Sequence, residues 1–138
     1  MRYAKEHGQA LVEFAIVIPV FVLILAGVIQ FGMILWGQNT LNQVVRDAGR
    51  YAATLPDCSA SDATGRIEAL ANAAAGPWTL TDHTATYSDK PPKCPPADNN
   101  KQVWVTVAAS ADVIRFFPWL PGDGKISSSV DFRVELAP

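Results

Sequence analysis

Between residues 14 and 45 the chain carries no charged side chain. No other feature limits the fold as strongly. Residues 14–36 form a run of 23 in which Gln30 is the only strongly polar member. As an α-helix such a run extends about 34 Å, enough to cross a hydrocarbon core of about 30 Å. A soluble protein hides a helix that is apolar on every face only inside a much larger body. A chain of 138 residues does not supply one. The run therefore reads as a transmembrane helix. The competing reading is a cleaved secretory signal, with "LILAG" imitating a small-residue site. A signal h-region, however, spans only about 7 to 15 residues.

The flanks orient the span. Arg2 and Lys5 precede it, and no Lys or Arg follows until Arg46. The positive-inside tendency puts the N-terminus in the cytoplasm and the remainder outside. Pro19 lies within the first two turns, where a missing N–H bends or loosens a helix. Gly27 and Gly32 are five apart, so they make no GxxxG contact motif. A formal net charge of -2, without an arginine-rich block, gives no footprint for nucleic acid.

Glu13 stands at the edge of the apolar run. The bland reading is a carboxylate that reaches back to the cytoplasmic interface. A helix also sets Gln9 and Glu13 four residues apart on one face. The run is preceded by a short leader, "MRYAKEH", then Gly8, then "QALVEF". This arrangement resembles the class III signal of type IV pilin-like proteins. The longer pattern "GQALVEFAIVIPVFVLILAGVIQFG", followed by "VVRDAGRYAAT", resembles the TadE-like family, pseudopilins of the tight-adherence (Flp-type) pilus system. TadF and TadG relatives share much of this opening.

The resemblance implies a set of roles. A prepilin peptidase would cut after Gly8 and leave Gln9 as the new N-terminus. Glu13, fifth after the cut, would pair with the new amine, within a chain or on a neighbouring subunit, and set assembly register. The chain would act as a pseudopilin or minor pilin in the assembly, initiation or tip of the pilus. Its partners would be the peptidase, other pilins or pseudopilins, the inner-membrane assembly platform and membrane lipid. It would be a single-pass protein of the bacterial inner membrane, with a place on a cell-surface pilus also open. Loss of Arg2, Lys5 and Glu6 would leave 9 basic and 12 acidic residues. The alternative is an uncleaved single-pass protein whose exported domain binds another secretion or surface component.

Beyond the span, Leu41, Val44, Val45, Ala48, Tyr51, Ala52 and Leu55 recur at helical spacing, with Arg46, Asp47 and Arg50 off the stripe. One helix of about 40 residues from Gln9, ended by Pro56, is expected. A second helix is expected over 62–75, capped by Asp62 and stopped by Gly76-Pro77. The period then changes to two. "KQVWVTVAAS" sets Val103, Val105 and Val107 on one face. "KISSSVDFRVEL" sets Ile126, Ser128, Val130, Phe132, Val134 and Leu136 against polar neighbours. "PWTLTDHTATYS" is a weaker strand. The expectation is an α+β fold, with a small antiparallel sheet on the exported half of the long helix. The divisions are a leader at 1–8, a span at 9–36, its exported continuation at 37–56 and a domain at 57–138.

Cys58 and Cys94 sit in loop-like settings. In an exported protein such a pair most often forms one disulfide, closing 37 residues and worth roughly 4 kcal/mol in the chain-entropy model. Two free thiols in a cytosolic protein are the alternative. "RFFPWLPGDG" gathers Phe116, Phe117, Trp119 and Leu120. These either cap the small core or mark a contact with a subunit or membrane surface. No catalytic, cofactor or metal constellation stands out. His7 belongs to the leader, and His83 reads as a surface residue. Adjacent Asp82 and His83 point to opposite faces of a strand. "ADNN" at 97–100 lacks the spacing of a calcium loop. The chain does not read as an enzyme.

Overall fold

The computed structural model describes residues 3–74, 76–89, 102–119 and 122–134, with side chains from Gly8 onward. Cys94, Leu120, Leu136 and the 97–100 turn lie outside these residues. The uncharged run and the amphipathic stretch after it are one α-helix, α1 (Tyr3–Ala53), of 51 residues. It starts before Gln9 and contains Pro19 without interruption. It ends three residues before Pro56, where Thr54 and Leu55 donate back to Tyr51 and Ala52 in tighter turns.

The second helix, α2 (Ala60–Ala73), is capped by Ser59, not Asp62. The Ser59 hydroxyl accepts the Asp62 N–H at 3.2 Å. Both residue types suit an N-cap, and the tight corner after Leu55 puts Ser59 in the extended conformation that the position needs. Asp62 instead supplies a negative charge to the first turn.

Three strands follow, β1 (Trp78–Tyr87), β2 (Trp104–Val113) and β3 (Lys125–Arg133). They form an antiparallel meander in the order β1-β2-β3. The alternation in β2 sends Val105, Val107, Ala109, Ala111 and Val113 inward, in line with Val103. The helix α1 packs on β2 and β3, and α2 packs on α1 and β1. Leu41, Val44, Val45, Ala48, Ala52 and Ala53 face the sheet. The alanines of helix and strand let the two backbones approach closely. Leu41, Val45, Ile67 and Val107 are fully buried. Each such side chain contributes about 1.5–3 kcal/mol through removal from water.

Two features of α1 were not visible in its periodicity. Tyr51, expected on the buried stripe, is 41% exposed. Its ring instead receives the Arg66 guanidinium of α2 at 5.6 Å. Gly49 is buried because the Phe132 ring lies where a side chain would be, in van der Waals overlap with any added Cβ. The glycine is a seat for β3.

Candidate functional site

The N-terminal part of α1 combines two groups on one face. The Gln9 side-chain amide donates to the Glu13 carboxylate at 3.2 Å, one helical turn away. Both residues are exposed, as is Gly8, around which a side chain would meet nothing. Residues 8–25 are exposed throughout. This includes Phe14, Ile16, Phe21 and Ile24. Large apolar side chains exposed on all sides of one helix call for a solvent other than water. The helix is long and apolar enough to cross a membrane.

The buried stripe of α1 begins at Ala26 and Gln30, inside the apolar run and well before Gln38. The start of this stripe is met by Ile114, Phe116, Phe117 and Trp119, in the loop joining β2 to β3. The loop has a closed neck, where Val113 N–H donates to the Gly124 carbonyl at 2.9 Å and Ile114 N–H to that of Pro77 at 2.7 Å. Gly124 closes this neck at φ +73, a backbone that side chains other than glycine rarely adopt. Below the neck, the Gln30 side chain bridges two backbone groups of the loop. Its Nε2 donates to the Ile114 carbonyl at 3.3 Å, and its Oε1 accepts the Phe116 N–H at 3.0 Å.

The aromatic residues lie beyond this bridge. Phe117 and Trp119 meet edge to face, with ring centroids 5.2 Å apart. With Ile18, Pro19, Val22 and Ala26 they line an apolar groove. Phe116 is 60% and Trp119 68% exposed. The aromatics therefore do not cap the core, which is filled by the helix stripe and the inner sheet face. They lie against the membrane half of α1. Gln30 was marked in the sequence only as the lone amide in an apolar run. Nothing there pointed to its partners, which are 84 and 86 residues away.

A third cluster forms the corner between α1 and α2. Cys58 is buried there, with a left-handed backbone at φ 48. Nearby, the Tyr87 hydroxyl donates to the Ala52 carbonyl at 2.8 Å, satisfying one of the last carbonyls of α1. Burial pushes the Tyr87 hydroxyl up to about 12, with Asp57, Asp62 and Tyr51 adding to the rise. His83 is half-buried on β1, and Asp82 beside it is exposed. A bulge between Leu80 and Asp82 interrupts the ladder just before them. Among the described residues no group of three or more His, Cys, Asp or Glu side chains is placed to hold a metal ion.

Comparison with known proteins returned no match among curated proteins and none among solved structures. A family match lies where the helix carries Gly8, Gln9, Glu13 and Pro19. Residues 8–50, just under a third of the chain, are similar to the family model described as TadE-like protein, a family associated with the tight-adherence pilus.

Proposed function

We propose that the chain is a pseudopilin or minor pilin that acts in the assembly, initiation or tip of a tight-adherence pilus, after cleavage following Gly8. The observation that carries this reading is the Gln9–Glu13 pair, one turn apart on an exposed helix face at the edge of an uncharged run. Cleavage turns Gln9 into an N-terminal amine, a cation one turn from the Glu13 carboxylate. That amine, on the same or a neighbouring chain, is a better partner than a neutral amide, because an ionised donor roughly doubles the strength of a hydrogen bond. A charged pair at the edge of an apolar helix serves registry better than stability, since each partner loses hydration. Gly8 lies inside α1, so the peptidase must open the first turns, and glycine lowers that cost by about 1 kcal/mol relative to alanine.

In this reading the peptidase, neighbouring pilins and the assembly platform of the inner membrane are the partners. The leader stays in the cytoplasm and residues 57–138 are exported. The proposed Cys58–Cys94 disulfide ties the loop after β1 to the corner between the helices, and burial of Cys58 supports it. Its formation would lower the intact mass of the unreduced chain by two hydrogens.

Mass spectrometry of the membrane-extracted protein tests the reading directly. A mature N-terminus at Gln9 is the expected result. An intact Met1 rejects it in favour of an uncleaved envelope protein whose exported domain binds another component. Glu13→Ala is expected to leave membrane insertion intact and to reduce incorporation into the pilus assembly. Normal incorporation of that variant removes Glu13 from the register role.

A further inference from the structure

Phe117 and Trp119, in the loop between β2 and β3, lie at a depth on α1 that water does not reach if the helix spans a bilayer. Residues 18–26, which the Phe117 and Trp119 groove includes, are about 6–18 Å to the leader side of Gln30 at 1.5 Å per residue. A hydrocarbon core of about 30 Å holds about 20 helical residues, so one that starts at Phe14, just after Glu13, ends near Met33. Moving the span toward the leader would bury Glu13, Glu6 and Lys5. Moving it the other way sinks the loop further. Either way the groove falls within the hydrocarbon.

Among the described residues of the loop, backbone groups of Ile114, Phe116 and Pro118 have partners within the protein. Irregular backbone survives at membrane depth only where its polar groups are satisfied within the protein. The Ile114 N–H reaches the Pro77 carbonyl, and the Ile114 carbonyl and the Phe116 N–H share the Gln30 amide. Pro118 has no N–H, and its carbonyl accepts from the Arg115 Nη2 at 2.8 Å. The Gln30 amide, itself 6% exposed, is satisfied by the same bonds. Arg115 sits close to the bridge in sequence, and its guanidinium is held by its bond to the Pro118 carbonyl. The large exposed rings of Phe116 and Trp119 continue the exposed apolar surface of Ile18, Val22 and Leu25.

We propose that this loop is a re-entrant wedge that enters the hydrocarbon core from the side of the sheet domain. Its aromatic rings contact lipid acyl chains, and Gln30 is the latch that fixes its depth. The proposal rests on the single-pass reading of α1 and is independent of cleavage or pilus incorporation. The wedge would fix how close the sheet domain stands to the membrane.

The full chain in phosphatidylcholine vesicles supplies the test. Trp119 emission is taken as the difference between the wild type and Trp119→Phe. It is read with lipid brominated in the middle of the acyl chain and with aqueous acrylamide. The expected result is loss of the difference signal to brominated lipid and shielding from acrylamide. Quenching by acrylamide without quenching by lipid overturns the wedge. Shielding from both overturns it in favour of cover by a second copy. In Gln30→Leu, exchange of the Phe116 amide should accelerate about tenfold, the factor that one hydrogen bond is worth. Unchanged exchange removes the latch. Flotation of the same preparation separates the two readings. Protein that floats with vesicles but keeps Trp119 in water defeats the wedge alone, and protein that does not float defeats the transmembrane reading and the wedge with it.

Discussion

Residues 8–25 of α1 are exposed on every side, whereas from Ala26 to the end at Ala53 the same helix buries a stripe at three- and four-residue spacing. Both halves belong to one helix. They differ in what surrounds them. The first half has side chains of one character all round, so it fits an isotropic apolar solvent. The second half alternates character around its circumference, so it fits a single flat partner, the sheet. The amide of Gln30 marks the overlap, because the loop covers the helix there while the apolar run continues beneath it.

The comparison is broken most strongly at Leu41, which is fully buried between α1 and the sheet. Leu41→Ala is expected to cost about 2–5 kcal/mol of sheet-domain stability, read by thermal or denaturant unfolding in detergent micelles. Ile24→Ala, in the exposed half and outside the groove, should leave that stability unchanged.

The glycines sharpen the contrast. Gly49→Ala drives a methyl group into the Phe132 ring, an overpacking cost of about 1–3 kcal/mol against a helix-propensity gain of about 1 kcal/mol. A net loss is expected, and Phe132→Leu in the same chain should recover part of it. Gly27→Ala meets nothing within 4 Å and is expected to be neutral or slightly stabilising. An equal loss at both positions would show that the sheet is not seated on α1 as described.

Tyr87 gives a smaller effect with a definite pH signature. Its hydroxyl titrates higher in the folded protein, about 12, than the ordinary 10. The stabilising contribution is therefore complete below about pH 10 and is lost as pH rises from there through about 12. Tyr87→Phe should lose about 1 kcal/mol at neutral pH with the Ala52 bond, and should flatten the alkaline decline. A decline of unchanged steepness would assign it to other groups. Ser59→Ala is expected to cost about 1 kcal/mol or less and to fray the start of α2, read by amide exchange.

Much of the fold could be read from local pattern. The span, the amphipathic continuation, the second helix and the three strands all carry their own period in the sequence, because each needs only neighbouring residues to define its apolar face. Their ends were less legible. Ser59 and Asp62 compete for the same cap, and the choice depends on the corner made by the end of α1. Tyr51 fell off the buried stripe because Arg66, 15 positions later, covers its ring in place of the sheet. Gly8, Gln9 and Glu13 were legible as a candidate site, since their relation is a spacing along one helix.

The aromatic loop was legible only as a cluster awaiting a partner. Composition favoured neither the core nor a surface, because Phe and Trp serve both. Its place was decided by the bonds between Gln30 and the backbone at Ile114 and Phe116, which join two ends of the chain. The sequence alone determined which segments are helix or strand and that one of them needs an apolar solvent, since periodicity and uncharged length are local quantities. Only the tertiary structure decided that Gly49 must admit Phe132 and that Phe117 and Trp119 lie along the span. Those outcomes depend on which surfaces meet, and no local pattern records that.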